Sequence, residues 1–130
     1  MWRFLLTIAL LLSPMVTSAH TSMVDVDAIG KVDKQGRTTI TGTIDCSEGL
    51  FGHIQVVVRQ PFAKRVIITN SGSADILCTG EPQPFETLVP KQNGSFKPGN
   101  ATLSYRVMLN CDEYGCAQYE EDNADVRLRP

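Results

Sequence analysis

From residue 39 onward, the sequence alternates apolar and polar side chains over short segments that end at turn residues. The segment 39–46 places Ile40, Ile44 and Cys46 on one face and its threonines on the other. A period of two with β-branched residues predicts a half-buried strand. The same kind of pattern predicts strands over 53–60, 65–69, 74–78, 85–89, 101–109 and 124–128.

These segments, with a weaker one at 23–29, give about seven or eight short strands with frequent turn signals, which predicts an all-β, Ig-like antiparallel sandwich. A closed eight-stranded barrel is the main alternative. Pro61 is expected to end its strand because proline cannot donate to a sheet ladder. The segment 70–72 reads as a turn, and the two prolines of 79–84 predict a loop.

Residues 1–19 have the pattern of a secretory signal peptide. Arg3 supplies a basic start, the run 4–12 is almost entirely apolar, and small residues precede a cleavage site after Ala19. The run is shorter than the roughly 20 residues that a membrane-spanning helix needs. We therefore predict a secreted, extracellular protein with one domain over residues 20–130 and no transmembrane segment after cleavage.

The four cysteines all follow this leader, at Cys46, Cys78, Cys111 and Cys116. An even number in a small exported domain predicts disulfides. Cys111 and Cys116 flank a plausible turn, which leaves Cys46 to pair with Cys78. The chain-entropy model gives these bonds roughly 2 and 3.5 kcal/mol. A zinc site of four cysteines is the alternative, but the paired short spacings that such sites use are missing.

The charge of the mature chain argues against one class of partner. Removal of Arg3 with the leader lowers Lys+Arg from 12 to 11 against 14 Asp+Glu, a net charge of −3. No basic stripe runs through the sequence, so nucleic acid is not an expected partner. Acidic residues instead crowd into 112–125.

Three stretches of the chain resemble a family of small secreted Ig-like domains from actinobacteria that is classed as a domain of unknown function. They are "DKQGRTTITGTIDC" at 33–46, "ILCTGEPQPFETLV" at 76–89 and "FKPGNATLSYRV" at 96–107. The hairpin "CDEYGC" departs from that family and resembles the neocarzinostatin-like apoproteins, which are Ig-like carriers of a small chromophore. Both resemblances imply an Ig-like fold, and neither supplies catalytic residues.

Cleavage after Ala19 would make His20 the first residue of the protein. An N-terminal histidine offers its amine and its ring nitrogen, and such donors suit copper. CopC-type copper carriers and lytic polysaccharide monooxygenases use a terminal histidine in this way, together with a second imidazole. The other histidine of this chain is His53, at the start of a predicted strand. A copper site therefore requires His20 and His53 to meet, and the alternative is that His53 is an exposed strand-edge residue.

The residue types suggest two further kinds of site. The acidic residues of 112–125 could supply oxygen ligands for calcium, but they lack EF-hand spacing, and like charges this close usually form a solvated turn. A Ser-His-Asp mechanism needs a histidine held by a carboxylate beside a nucleophile. No such motif surrounds His53, so we expect no enzyme and no cofactor.

The segment 65–69 leaves one question about the surface. Val66, Ile67 and Ile68 are consecutive apolar residues with little alternation, so they form either an exposed apolar edge or a strand covered by the loop 79–84. An exposed apolar patch would mark a partner site. The sequence thus predicts an exported, non-enzymatic binding or interaction module for an unknown protein or small molecule. A small-ligand or copper carrier is the alternative.

Overall fold

The computed structural model describes residues 23–130, apart from the side chains of residues 23, 118, 119, 122 and 123. The predicted leader and His20 lie outside the described residues. The strands are β1 (Met23–Val26), β2 (Ile29–Val32), β3 (Thr38–Asp45), β4 (Phe51–Ala63), β5 (Val66–Leu77), β6 (Gln83–Val89), β7 (Gly99–Asp112) and β8 (Gly115–Arg129). Residues 23–130 contain no helix, which confirms the predicted all-β class.

The strands form two facing layers that β2 connects. In one layer, β3 pairs antiparallel with β6 on one edge and with β1 on the other. In the second layer, the antiparallel order is β8, β7, β4 and β5. β2 pairs antiparallel with β3 and parallel with β8. β5 and β6 share no ladder, so the sheet is not closed and the barrel alternative is wrong. The arrangement is compatible with an Ig-like sandwich.

The strand faces that the sequence predicts to point inward are buried in the structure. Burial of their apolar side chains between the layers is the dominant favourable contribution to the free energy of folding. In β4, Ile54, Val56 and Val58 are buried, whereas Gln55 is exposed. The core residues of β3 and β6 pack with those of β4, β7 and β8, although these strands are not all ladder neighbours. The largest fully buried side chains are Ile40, Ile44, Ile54, Leu103, Leu109 and Leu128.

Two prolines lie inside strands, contrary to the sequence prediction. Pro61 does not end β4, which continues to Ala63. The last pairing of β4 with β7 is Arg59 with Thr102, so a missing N–H at Pro61 removes no bond to β7. Pro84 belongs to β6, which has a ladder on one edge only. Both prolines therefore occupy the edge positions that a sheet tolerates.

The predicted turn at 70–72 does not form, because Asn70 and Gly72 lie within the continuous strand β5. Asn70 is buried and binds the loop that follows β6: its Nδ2 donates to the carbonyl of Gly94 at 3.0 Å, and its Oδ1 accepts from the N–H of Asn93 at 2.7 Å. Gly72 packs against the backbone of Leu88 in β6. Both residue types are frequent in turns, but here they serve side-chain bonding and close packing.

Side chains from the start of β6 and from the loop that follows it bond to the free edge of β5. The N–H of Ser71 donates to Gln92 Oε1 at 3.0 Å, and Asn93 Nδ2 donates to the carbonyl of Thr69 at 3.1 Å. At the other end of the strand, Gln83 Nε2 donates to the carbonyl of Leu77 at 2.9 Å. An open edge can pair with another chain, and these bonds occupy part of it.

Candidate functional site

Both predicted disulfides are present, and they lie at one end of the sandwich. Cys46 and Cys78 are bonded and buried, and they join the end of β3 to the residue that follows β5. Cys111 and Cys116 are bonded across the β7–β8 hairpin. The described chain has no free cysteine, so the zinc alternative is wrong. Two disulfides fit an oxidising, extracellular environment.

His53 does not lie at a sheet edge, so that part of the sequence prediction is wrong. It belongs to β4, which has a partner strand on each side, and it pairs with Asp75 of β5 and Met108 of β7. The side chain is half-buried. Its proposed copper partner, His20, lies outside the described residues, so the copper site stays a prediction.

No group of three or more His, Cys, Asp or Glu side chains within the described part of the chain is placed to hold a metal ion. The acidic residues of 112–125, for which calcium ligands and a solvated turn were the alternatives, are distributed along the β7–β8 hairpin. Asp112 Oδ1 accepts a hydrogen bond from the backbone N–H of Tyr114 at 2.8 Å. Glu120 lies 3.5 Å from the guanidinium of Arg106.

The apolar segment at the start of β5 is exposed. Phe62, Val66 and Ile67 have exposed fractions of 58%, 48% and 60%, whereas Ile68 is buried. The loop 79–84 contacts the opposite end of β5 through Gln83, so it does not cover this segment. Of the two alternatives for 65–69, the structure shows an exposed apolar edge.

These apolar side chains surround the end of a two-stranded ribbon. β4 extends beyond its last pairing with β7 at Arg59, and Ala63 pairs with Val66 across the turn of Lys64 and Arg65. Arg65 has a φ of 65°, the left-handed conformation that a tight turn uses. We call residues 61–67 the ribbon tip.

A buried glutamine fixes the base of the ribbon tip. Gln60 Nε2 donates to the carbonyl of Lys97 at 2.8 Å, and Gln60 Oε1 accepts from the N–H of Lys97 at 2.9 Å. The ammonium of Lys97 lies 5.5 Å from the ring centroid of Phe62, within cation–π range. The loop that precedes β7 is therefore held beside the ribbon tip, and it brings a positive charge to it.

The end of the sandwich that carries the ribbon tip is strongly basic. The strand register places the end of β4, the start of β7 and the end of β8 together, because Arg59 pairs with Thr102 and Gly99 with Leu128. We define the basic end as residues 31–38, 61–67, 89–99 and 127–130. Its exposed lysines and arginines are Lys31, Lys34, Arg37, Lys64, Arg65, Lys91, Lys97, Arg127 and Arg129.

Asp33 is the one acidic residue in the ranges of the basic end, and its charge is paired. Arg37 Nε lies 2.7 Å from Asp33 Oδ2, and the N–H of Arg37 donates to Asp33 Oδ1 at 3.0 Å. The backbone and side-chain hydrogen bonds from Arg37 lower the pKa of this carboxyl group. Asp33 therefore remains ionised at neutral pH and partly offsets the charge of Arg37.

The opposite end of the sandwich is acidic. It comprises residues 23–25, 44–53, 75–84 and 107–118, none of which is lysine or arginine. Its carboxylates are Asp25, Asp45, Glu48, Asp75, Glu81, Asp112 and Glu113. A protein with a slightly negative total charge therefore concentrates its positive charges at one end of its strands and its negative charges at the other.

An open apolar cavity of about 590 Å³ lies within the basic end. Val32 and Phe96 form part of its wall, and both belong to the hydrophobic core. Lys31, Lys34 and Lys97 also line it. The volume is in the range of small-molecule sites, and apolar walls with a few charged groups are typical of them. The cavity is at the far end of the strands from the Cys111–Cys116 hairpin.

A smaller polar depression of about 190 Å³ lies on the outer face of β4 and β7. Arg59 donates to Ser104 Oγ at 3.1 Å in its floor, and Arg106 approaches Glu120 beside it. Tyr105 also lines it, and burial, together with Glu121 and Asp25, raises the pKa of this phenol. The arginines here are already bonded to protein groups, so this depression is the weaker candidate.

Comparisons with models of protein families, with curated proteins and with solved structures find no match to this chain. Within residues 23–130, no helix is long and apolar enough to cross a membrane. The basic end is the strongest candidate site, because it combines exposed cations, exposed apolar side chains and an open cavity.

The sequence did contain a signal for this site that residue motifs do not reveal. No Asp or Glu occurs between Glu48 and Asp75, or between Glu86 and Asp112. Strand register brings parts of these two acid-free stretches together at the basic end, with Phe62 and Lys97 in contact range. The two acid-free stretches are visible in the sequence, but only the topology shows that they come together at the basic end.

Proposed function

We propose that this protein is an exported, non-enzymatic binding domain that recognises an anionic partner through its basic end. The observation that supports the proposal is the joint location of many exposed cations and three exposed apolar side chains on one end of the molecule. Electrostatic attraction would orient this end toward an anionic partner, and the apolar contacts would add affinity. The two disulfides and the predicted leader support export.

Retention on a sulfonate cation-exchange resin tests the electrostatic part of the proposal. We expect the purified protein to be retained at pH 7 and low salt although its formal net charge is negative, −2 for the full sequence and −3 without residues 1–19. The double variant Lys64→Gln/Lys97→Gln removes two cations from the basic end. With about 1 kcal/mol per cation near an anionic surface, retention at fixed salt should fall roughly 30-fold.

The matched control removes the same charge from the outer face of the sheet. Arg59→Gln/Arg106→Gln has the same net charge as the first double variant, so a response to net charge alone would affect both equally. We expect the control to retain most of the binding. Equal losses for the two variants, or no retention of the wild-type protein, would contradict binding through the basic end.

A small-ligand carrier is the second candidate function, and the apolar cavity with its three lysines favours it. A ligand that fits would combine an apolar body with a single anionic group. The dye 8-anilinonaphthalene-1-sulfonate has this chemistry and fluoresces in apolar sites.

We expect saturable binding of this dye, and we expect Lys31→Glu/Lys34→Glu to weaken it about tenfold, on the scale of a charge-assisted contact. Lys91→Glu changes the charge of the basic end outside the cavity lining and serves as the control. Fluorescence that is absent, or equal in all variants, would exclude the cavity as a carrier site.

A further inference from the structure

We infer that the partner of the basic end is the surface of an anionic lipid bilayer, and that the ribbon tip inserts into it. This inference rests on the proposed function, since it names the partner of the same surface. It adds a specific role for Phe62, Val66 and Ile67, which electrostatic binding alone does not require.

The ribbon tip contains both cationic and apolar side chains, which match the anionic headgroups of a bilayer and the boundary of its acyl chains. Lys64 and Arg65 form the turn and can contact lipid phosphates, while long cationic side chains keep their charges at headgroup level. Phe62 and Ile67, each more than half exposed, can reach the boundary between headgroups and acyl chains. Interfacial segments that combine an apolar face with lysine and arginine bind anionic membranes in this way.

The rest of the basic end supplies the longer-range attraction. Lys91 and Lys97 lie in the loop that Asn70 and Gln60 hold against β5 and the ribbon, so their charges are positioned beside the tip. Each basic residue near an anionic leaflet contributes about 1 kcal/mol of attraction. The carboxylates of the acidic end would point away from the membrane, which fixes the orientation of the bound domain.

The apolar side chains favour a lipid surface over other anionic partners. An acidic polysaccharide would attract the cations but would leave Phe62, Val66 and Ile67 in water. A protein partner would need a recess that fits a projecting two-stranded ribbon, whereas a fluid bilayer adapts to its shape. The acidic end of a second copy also carries exposed apolar residues, so self-association is an outcome that the experiment must separate.

Co-sedimentation with vesicles tests the inference. We expect the purified protein to sediment with equimolar phosphatidylcholine and phosphatidylglycerol vesicles, and to stay in solution with pure phosphatidylcholine. Phe62→Ser/Ile67→Ser should lower the partition coefficient by roughly 30- to 100-fold, because the apolar area that leaves water is largely lost. The same variant should keep the wild-type retention on the sulfonate resin, because no cation has changed.

The chain offers a closely matched control at the other end of the same two strands. Phe51 and Leu77 pair across β4 and β5 and have exposed fractions of 61% and 66%. Phe51→Ser/Leu77→Ser therefore removes a similar exposed apolar area from the acidic end. We expect its vesicle binding to equal that of the wild type, and thermal melting shows whether both variants remain folded.

The outcomes separate the inference from the proposed function. Wild-type protein that is retained on the resin but ignores anionic vesicles would overturn lipid binding and leave the proposed function standing. Equal vesicle binding of wild type and Phe62→Ser/Ile67→Ser would overturn insertion of the ribbon tip. Sedimentation velocity without lipid tests whether the ribbon tip binds a second copy of the protein. If the wild type self-associates and both double serine variants do not, the ribbon tip belongs to an interface between copies and lipid insertion is overturned.

Discussion

Replacement of Cys46 and Cys78 together by alanine is expected to lower the free energy of unfolding by about 3.5 kcal/mol. The bond spans a sequence separation of 32, so its removal returns substantial loop entropy to the unfolded chain. For a domain of this size, the melting temperature should fall by roughly 15 °C. Urea unfolding under non-reducing conditions measures the free energy, and a calorimetric scan measures the temperature.

The position of this disulfide explains why few other contacts can replace it. It lies on the side of the sandwich where β5 and β6 share no ladder, so it is a covalent connection between layers that are otherwise held by packing there. The backbone bonds around it are short connections between loops: Cys78 N–H donates to the carbonyl of Leu50, and Gly80 N–H to that of Cys46. Both sulfurs are buried, so alanine also removes apolar contact.

The hairpin disulfide provides the comparison within the same chain. Cys111→Ala/Cys116→Ala opens a loop with a sequence separation of 5, for which the chain-entropy model gives about 2 kcal/mol. Cys111 is exposed, so little packing is lost with it. A loss at Cys111/Cys116 equal to or larger than that at Cys46/Cys78 would contradict the structural role assigned to the buried bond.

The sequence sufficed to predict features that depend on neighbouring residues. The alternation in 39–46 and 53–60 identified Ile40, Ile44, Ile54 and Val56 as core residues, because side chains on a strand alternate between its two faces. The short separation between Cys111 and Cys116, on either side of a plausible turn, favoured a disulfide across a hairpin. In each case the spacing along the chain determines the spacing in the structure.

The features that the sequence analysis missed depend on distant parts of the chain. Pro61 and Pro84 are allowed in strands because of which edges are paired, and no local pattern records the neighbours of a strand. The interior position of His53 in its sheet likewise depends on the pairing of β4 with both β5 and β7. The basic end combines four separate ranges, so the joint position of Lys34, Lys64 and Lys97 required the register of the sheets.

The segment Asn70-Ser71-Gly72 provides the sharpest test of this difference between local pattern and tertiary structure. A Cβ atom added at Gly72 would overlap the carbonyl oxygen of Leu88. This oxygen belongs to the backbone of β6, which cannot move as a side chain could. Gly72 does not have a positive φ, so its conformation does not exclude alanine. The close approach of β5 to β6 is therefore the reason for glycine at this position.

We expect Gly72→Ala to destabilise the protein by about 3 kcal/mol, the upper part of the range for overpacked sites, as measured by urea unfolding. Ser73→Ala, at the next and exposed position, should change stability by less than about 0.5 kcal/mol.

Gly72→Asn distinguishes the two explanations for the glycine, a turn conformation and a close contact with β6. Asparagine tolerates the left-handed conformation of a turn, so it would be milder than alanine if 70–72 were a turn. In the packed strand its larger side chain should cost at least as much as alanine, because the steric conflict with Leu88 begins at Cβ. An asparagine variant more stable than the alanine variant would therefore contradict the close contact between β5 and β6.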